Sequence, residues 1–434
     1  MSAGVPMQGT DRQGEREHDL VVFGATGFVG RLLAAELAEQ APAHLRIALA
    51  GRDEARLQDV RASLPGAARQ WPVVVADSRD QAALDRLARS TRVVVTTVGP
   101  YARHGFGLAG ACAEAGTHYA DLTGEVLYVR RLVDELQQTA ERTGARLVTA
   151  CGFDSVPSDL GVLVLHQRAR ADGAGDLCDT TLLVRRLRGG ISGGTVDSMR
   201  LMVAEAASDG AARKVVLDPY ALSPDRAAEP HLGRQRDVGG VMRDAQTGQW
   251  TAPFVMASFN TRIVRRSNAL TGHAYGRRFR YRELMACGRG RAGQLRAAAV
   301  SAGVGALVVG MANPLTRPLL GLVLPSPGEG PSEEVRRRGC FRMELRTTTA
   351  SGRRYLAVVA AQADPGYAAT AVMLAESALC LVEDEPRLPA RAGVLTPATA
   401  FGDVLVGRLR KRDFTLTVEE EPAERHTPAA RHSA

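Results

Sequence analysis

Apolar and polar residues follow two different patterns along this chain. From Asp19 to about Ala150, short and almost wholly apolar runs such as LVVFG, RIALAG and RVVVTTVG alternate with segments that place an apolar residue every three or four positions. Strands buried on both faces have the first character, and amphipathic helices have the second. Residues 18–161 are therefore predicted to form an α/β domain with a doubly wound parallel sheet.

The alternation stops after about Gly161. The segments DTTLLVRRLRG, FRMELRTTT and RYLAVVAAQAD indicate longer strands, and TVDSMRLMVAEAAS indicates a helix. We expect an inserted α+β domain with an antiparallel sheet over 162–365. A helical return over 366–412, which contains GYAATAVMLAESALCLVE, should pack on the first domain. The polar ends, 1–17 and 413–434, are expected to be a disordered leader and tail.

The most apolar part of the chain is the stretch 298–324. Asn313, Pro314, Arg317 and Pro318 interrupt it about 15 residues after Ala298, whereas a membrane-spanning helix needs about 20 apolar residues. The favoured interpretation is a buried or substrate-lining helix followed by a loop. An interfacial segment that contacts lipid or a greasy substrate is the alternative, with a membrane span a third.

Three glycines follow the first apolar run in HDLVVFGATGFVG and open an alanine- and leucine-rich helix. Gly24 allows a tight turn off the strand, Gly27 allows the backbone to approach a diphosphate, and Gly30 allows close packing of helix on strand. The diphosphate would rest on amide groups at the positive end of that helix. Because the trio lies between a strand and a helix, it predicts the dinucleotide site of a Rossmann domain.

The end of the second strand distinguishes the two nicotinamide cofactors. An NAD site has an acidic residue at this place, but the sequence reads ALAGRDEARL. Arg52 can hold a 2′-phosphate with its planar fork of donors, and Asp53 is better placed to cap the next helix. We therefore predict NADP(H). Asp77, which ends the third strand, is assigned either to the adenine or to a helix cap.

Charge and composition exclude other classes. The net charge is +8, but 53 of the 55 cationic residues are arginine, and no basic helix, zinc-knuckle spacing or aromatic-studded basic strand supports nucleic-acid binding. The six cysteines form no CxxC pair, which predicts reduced thiols, no metal site and a cytoplasmic protein. Neither Lys214 nor Lys411 follows a tyrosine by four positions, so the Tyr-x-x-x-Lys pair of short-chain dehydrogenases is excluded.

Candidate catalytic groups lie where strands end, because ligands of an open α/β sheet bind outside the carboxyl ends of its strands. The segments TVGPYARHG, HYADLTGE and CGFDSVPSDLG meet this condition. Tyr101 is a candidate proton donor or carbonyl partner, or else a packing tyrosine; Asp154 is a candidate proton relay, or else a helix cap. Cys151 is expected to be a small buried residue. The other polar members are His104, Tyr119, Asp121, Glu125 and Ser155.

The motifs GATGFVG, AGRDEARL, VGPYARHG, GTHYADLTGE, CGFDSVPSDLG, PSPGEGPSEE and DPGYAATAVMLAESAL together resemble the saccharopine dehydrogenase-like oxidoreductases. The resemblance is strongest to trans-acting enoyl reductases of polyketide and long-chain lipid biosynthesis. It implies NADPH-linked reduction of a carbon–carbon double bond in an enoyl chain held by a carrier domain. It also implies cofactor contacts at Gly24, Ala25, Thr26, Gly27, Phe28, Val29, Gly30 and Arg52, to which the strand-four turn adds Val98 and Gly99.

Two other functions stay open from the sequence: a saccharopine reductase-like enzyme acting on imines or amino acids, and a non-catalytic NADPH-binding protein attached to lipid. A polar cleft with arginines that point inward would favour the saccharopine reductase-like function, and an apolar tunnel would oppose it. A basic cluster is expected either to dock the acidic surface of a polyketide synthase carrier domain or to be a solvated face. Its members are Arg265, Arg266, Arg277, Arg278, Arg280 and Arg282.

Overall fold

A computed structural model describes residues 16–189, 192–313, 315–316, 330 and 332–422 of the 434-residue chain. Most of the predicted leader, residues 1–15, lies outside this range. The leader prediction is wrong for Arg16, whose guanidinium donates to the carbonyl oxygens of Ala88 (3.1 Å) and Ala115 (2.7 Å). The chain is therefore anchored to the first domain two residues before its first strand.

The first sheet has seven parallel strands in the order β13-β6-β5-β4-β1-β2-β3. Six of them alternate with helices as predicted, and β13 is an addition that returns from the far end of the chain. Side chains of β1 alternate between two core clusters, Leu20 and Val22 in one and Val21 and Phe23 in the other. This burial on both faces explains the continuous apolar runs. The strands are β1 (His18–Phe23), β2 (Ile47–Gly51), β3 (Val73–Val75), β4 (Thr91–Thr96), β5 (His118–Ala120), β6 (Arg146–Val148) and β13 (Gly393–Leu395).

The helices that cross over between these strands cover the two faces of the sheet. They are α1 (Phe28–Gln40), α2 (Glu54–Ser63), α3 (Gln81–Ser90), α4 (Tyr101–His104), α5 (Phe106–Ala115) and α6 (Val126–Thr143). A 3-10 helix (Gly66–Gln70) follows α2. The right-handed crossovers place all the carboxyl ends of the strands at one edge of the sheet, so the loops after β1, β2, β4, β5 and β6 lie together.

The second sheet is mixed, with strands in the order β14-β12-β11-β7-β10-β9-β8. Five of its six strand pairs are antiparallel as predicted, but β7 and β10 are parallel because a long crossover joins them. The strands are β7 (Leu177–Arg188), β8 (Met242–Arg243), β9 (Trp250–Pro253), β10 (Arg280–Gly288), β11 (Cys340–Thr349), β12 (Arg354–Ala361) and β14 (Thr415–Glu421).

The remaining helices either link the two sheets or lie between strands of the second sheet. The predicted domain boundary at 161 falls inside one helix, α7 (Val156–Ala171), where Gly161 lets Leu345 of β11 approach closely. The predicted helical return contains α13 (Ala368–Glu383), which packs on α1 and β4. The others are α8 (Gly193–Ser208), α9 (Gly210–Leu217), α10 (Ala257–Leu270), α11 (Gly290–Ala312), α12 (Glu333–Arg337), α14 (Pro397–Phe401) and α15 (Asp403–Lys411), with a 3-10 helix at Glu385–Arg387.

Two predictions about the far end of the chain are wrong. The tail predicted from residue 413 forms β14, which pairs with β12 through residue 421; residues 423–434 lie outside the described range. The apolar stretch is predicted to be a buried or substrate-lining helix. Its described part lies mostly in α11, of which the most apolar window is only 11% buried, so burial is wrong and the substrate-lining alternative stays a prediction. Leu295 is 72% exposed and Val309 68%. By length and composition alone, α11 could cross a membrane; residues 317–324 of the stretch lie outside the described range.

Candidate active site

The glycine turn after β1 is too crowded for side chains at two of its three glycines. Gly24 has a φ of +89°, and a Cβ there would stand 2.6 Å from Cγ2 of Val98. A Cβ on Gly30 would stand 2.1 Å from the carbonyl oxygen of Gly24, which is closer than any packed structure tolerates. Gly24 therefore makes the turn and Gly30 lets α1 lie against it, the two roles expected from their spacing.

Gly27 differs from its neighbours because it faces solvent. It is exposed, and the nearest atom that its Cβ would meet is the Gly24 carbonyl oxygen, 3.4 Å away. Gly27 is also the N-cap of α1, and no described side chain caps that helix end. The first-turn amides of α1, which begins at Phe28, thus form an open positive cradle that fits a diphosphate. Ala25 is buried beneath the turn, and Thr26 is half-buried at its edge.

Arg52 follows β2 and points away from the protein. Asp53 accepts a hydrogen bond from the Arg56 amide (3.1 Å) and so caps α2, as predicted. Arg52 itself is exposed and has no hydrogen bond or ion pair within the described residues. A guanidinium with all its donors available at the end of the second strand fits the 2′-phosphate of NADP.

Asp77 is not a helix cap. The cap of α3 is Asp80, and Asp77 instead accepts a hydrogen bond from the Arg79 amide (2.9 Å). Arg79 itself is exposed. Burial lowers the pKa of His104, and the positive charges of Arg79, Arg103 and Arg52 lower it further. Arg79 and Arg103 were missed by sequence reasoning, although Arg79 lies in the loop after β3 and Arg103 in the short helix α4 that follows the β4 loop.

The loop after β4 carries Val98 and Gly99 to the edge of the turn and then starts α4. Tyr101 is only 3% exposed, and its hydroxyl donates to the Thr96 carbonyl oxygen (3.1 Å). That geometry corresponds to the packing alternative and does not favour proton donation by Tyr101. The buried carboxylate of Glu125 fixes this loop by accepting from the amides of Tyr101 (2.9 Å) and Ala102 (2.8 Å).

A second buried carboxyl holds the loop after β5. Asp121 accepts from the Tyr119 hydroxyl (2.9 Å) and from the amides of Thr123 (3.0 Å) and Ala150 (3.1 Å). Burial nevertheless raises the pKa of Asp121 to about 7. The Tyr119 hydroxyl also contacts that of Tyr128 (3.0 Å). With its lone pairs occupied by these donors, Asp121 serves the loop and not a ligand.

Asp154 has a different environment. Burial alone raises its pKa to about 7, and its carboxylate has no hydrogen bond or ion pair with any described residue. Asp154 is not the cap of α7; that position is Ser155, whose hydroxyl donates to Oδ1 of Asn260 (3.1 Å). Asp154 Oδ2 would lie 3.3 Å from a Cβ on Gly124, so the carboxyl faces the loop after β5. An unpaired carboxyl that titrates near neutrality can act as a general acid.

Cys151 precedes this turn and is buried, as expected. Its thiol donates weakly to the Val148 carbonyl oxygen (3.6 Å), and burial raises its pKa well above the usual range. A thiol in that state is no nucleophile. Among the described residues, no group of three or more histidine, cysteine or acidic side chains is arranged to hold a metal ion.

The fold and the site define a two-domain α/β oxidoreductase that binds a dinucleotide. Residues 20–150 match the family model described as the saccharopine dehydrogenase NADP binding domain. The cofactor is therefore NADP(H), in agreement with the arginine at the end of β2.

Comparison with whole proteins identifies the family to which this oxidoreductase belongs. A Mycobacterium tuberculosis protein is 50% identical over 409 residues, which cover 92% of this chain and 97% of the relative. The trans-acting enoyl reductase of M. tuberculosis is 48% identical over 404 residues, covering 91% and 96%, and that of Mycobacterium ulcerans is also 48% identical. The chain belongs to the trans-acting enoyl reductase family of saccharopine dehydrogenase-like proteins.

Two solved structures share the fold at low sequence identity. Apo saccharopine dehydrogenase (L-Glu forming) from Saccharomyces cerevisiae has a TM-score of 0.51 at 13% identity and covers 93% of this chain and 100% of its own. The homospermidine synthase of Legionella pneumophila in complex with NAD has a TM-score of 0.50 at 9% identity, covering 96% and 95%. Both share the overall fold of this chain.

Proposed function

We propose that this protein reduces the carbon–carbon double bond of an enoyl chain, with Asp154 as the proton donor. When bound, NADPH supplies the hydride that such a reduction needs at the β-carbon. The α-carbon then needs a proton. The observation that supports the proposal is the unpaired Asp154 carboxyl, whose pKa of about 7 keeps much of it protonated at neutral pH.

The neighbours of Asp154 support this role because they leave it unsatisfied. Glu125 and Asp121, the carboxyls of the adjacent loop, are each held by two or more donors. The Tyr101 hydroxyl donates a hydrogen bond to a backbone carbonyl oxygen. Asp154 is thus the acid at this edge of the sheet that can give up a proton without breaking a hydrogen bond within the described structure.

An apolar groove supports a long acyl chain as substrate. Ser198 of α8 donates to Glu125 Oε1 (2.6 Å), so α8 starts beside the loop that carries Tyr101. One turn further along α8, Met202 enters a groove of about 260 Å³ between α8, α9 and α11. Its lining is almost wholly apolar and comprises Met202, Val203, Ala206, Ala207, Arg213, Val216, Leu217 and Val308. Such a surface suits a hydrocarbon chain better than the dicarboxylate of a saccharopine-type reaction.

The arginine cluster predicted to dock a carrier domain contains fewer exposed residues than the sequence indicated. Arg265 and Arg266 are 6% and 1% exposed, so their inclusion in a docking cluster is wrong. Arg266 donates instead to the carbonyl oxygens of Leu222 (2.6 Å) and Val394 (2.7 Å). We propose that the exposed arginines at the start of β10 steer an acidic carrier domain: Arg277, Arg278 and Arg280.

The exposed helix α11 supports a second contact. Arg289 at its N-cap and Arg291 and Arg296 in its first turns are exposed, and an uncharged apolar stretch follows to Ala312. Basic residues beside an exposed apolar helix suit the surface of an anionic membrane. We propose a cytoplasmic protein that touches membrane lipid peripherally through α11. Leu295→Asp/Val309→Asp should reduce co-sedimentation with phosphatidylglycerol vesicles, and equal binding by the variant would contradict the contact.

Stopped-flow NADPH oxidation with a panel of substrates tests the reaction itself. The panel contains enoyl thioesters of increasing chain length, the same chains on a carrier domain, and imines of amino acids. Turnover of enoyl chains, faster with length, is expected. Turnover of imines alone would assign the protein to the saccharopine-type reaction, and tight NADPH binding without any turnover would leave it non-catalytic.

Charge reversal tests the carrier surface. Arg277→Glu/Arg278→Glu/Arg280→Glu should lower kcat/KM for carrier-bound chains about tenfold or more at low salt and leave free thioesters unaffected. Reversal of Arg86 and Arg89, exposed arginines on α3 of the first domain, is the matched control. Equal losses on both substrates would contradict docking at this surface.

A further inference from the structure

We propose that Arg336 of the second domain is a ligand of the cofactor diphosphate and completes the site opened by the glycine turn. Arg336 lies in α12, far in sequence from the first domain. Its guanidinium stands over the ring of Phe28, with Cζ 5.3 Å from the ring centre. Phe28 is the first residue of α1, whose uncapped amides form the diphosphate cradle.

Arg336 differs from the two arginines beside it. Arg337 pairs with Glu333, and Arg338 pairs with Glu334 (2.7 Å), so both are neutralised on their own helix and exposed to solvent. Arg336 is half-buried and forms no ion pair in the described structure. Its Nε is fully buried and has no hydrogen-bond partner there. A buried guanidinium nitrogen without an acceptor is costly, which points to an anionic acceptor that binds at this place.

Several contacts fix α12 over the glycine turn. Gly330, just before the helix, approaches the Phe28 ring so closely that a Cβ there would stand 2.3 Å from Cζ of Phe28. The Tyr367 ring packs edge-on against the Phe28 ring, with the ring centres 4.9 Å apart. The second domain therefore holds Phe28, and with it Arg336, at the beginning of α1. The cation therefore lies over the side chain of the first residue of the helix whose amides form the cradle.

A diphosphate carries two negative charges that the α1 amides offset only in part. A guanidinium facing the same phosphates supplies a full positive charge and donors in a planar fork. It would act on the diphosphate alone, since Arg52 lies at the end of β2 and serves the 2′-phosphate. The two arginines should thus differ in which part of NADP they recognise.

Calorimetric titration of cofactor fragments separates these roles without any turnover. 2′-Phospho-ADP-ribose contains the diphosphate, and 2′-AMP lacks it. We expect Arg336→Ala to weaken binding of NADPH and of 2′-phospho-ADP-ribose about tenfold at low salt, less at high salt, and to leave 2′-AMP unchanged. Arg52→Ala should weaken all three.

Two further variants keep the test interpretable. Arg337→Ala, on the same helix but paired with Glu333, should bind every ligand within about twofold of wild type, as expected for an exposed ion pair. Arg336→Lys keeps the positive charge and should retain much of the affinity for 2′-phospho-ADP-ribose. This variant also provides a test if Arg336→Ala does not fold. The proposal is overturned if Arg336→Ala binds 2′-phospho-ADP-ribose as wild type does, or loses 2′-AMP equally.

Discussion

Asp154→Asn tests the proposed proton donor most directly, because it removes the titrating group and keeps its size. Burial raises the pKa of Asp154 to about 7. The carboxyl is then about nine-tenths protonated one unit below that pKa and about one-tenth protonated one unit above it. Only the protonated form can donate, so kcat of the wild-type protein should fall about tenfold for each unit of pH above the pKa.

The size of the effect follows from the chemistry of general acids. A positioned acid contributes about 100-fold to 10,000-fold to a proton-transfer step. Asp154→Asn should therefore lower kcat for an enoyl thioester at least about 100-fold below the pKa, where wild type is most active, and abolish the fall above it. Single-turnover NADPH oxidation, followed by stopped-flow absorbance over a pH series, measures both quantities.

Glu283→Gln is the control for this experiment. Burial also raises the pKa of Glu283 to about 7, but this carboxylate is held by Tyr281 (2.8 Å) and Asn260 (3.0 Å). Its variant should keep the wild-type pH profile. Loss of the profile in Glu283→Gln, or its persistence in Asp154→Asn, would refute the assignment.

Stability provides an independent readout for Asp154. The folded-state pKa lies above the ordinary value of 3.8, so folding favours the protonated form. Wild-type stability from this group is present below the ordinary pKa and declines as pH rises from 3.8 to about 7. Asp154→Asn should thus unfold at a higher temperature than wild type at pH above 7 and at a similar temperature in acid.

Three other substitutions test the rest of the site. Arg52→Ala should raise the KM for NADPH at least about tenfold and barely change the weak use of NADH; an unchanged cofactor ratio would contradict the 2′-phosphate assignment. Glu125→Gln replaces one acceptor by a donor facing the amides of Tyr101 and Ala102, and should cost about 1–3 kcal/mol in chemical denaturation. Gly30→Ala should abolish NADPH binding in fluorescence titration, whereas Gly303→Ala, whose Cβ would meet no atom within 4 Å, should bind normally.

The first domain was predictable because its signals are local. Each strand is short, continuously apolar and followed by an amphipathic helix, and the glycine trio joins one such pair. Strand β13 escaped detection because three residues show no periodicity, and its place beside β6 depends on the return of a distant segment. Strand β14 was not predicted for another reason. The sequence of Thr415–Glu421 is largely polar and acidic, which is common for an edge strand.

The arginines show where sequence reasoning about sites fails. Arg265 and Arg266 look like a surface cluster, but both are buried in α10 and donate to carbonyl oxygens of a loop, of β10 and of β13. Arg79 looks unremarkable, and only the fold brings it and Arg52 near enough to His104 for both charges to lower the pKa of that imidazole. Whether a guanidinium is buried, paired or available depends on backbone groups that are distant in sequence, which no local pattern records.

The second domain contributes more than a substrate surface, because it contacts the site at three places. Ser198 donates a hydrogen bond to Glu125 in the loop after β5. Asn260 accepts a hydrogen bond from the hydroxyl of Ser155, which is next to the proposed acid Asp154. Helix α12 places Arg336 over Phe28 at the glycine turn. Each contact is made by a different element of the second domain. The position of the second domain therefore determines the positions of the diphosphate cradle, the β4 loop and the proposed acid together. A substitution that shifts the second domain should then alter both cofactor affinity and proton transfer.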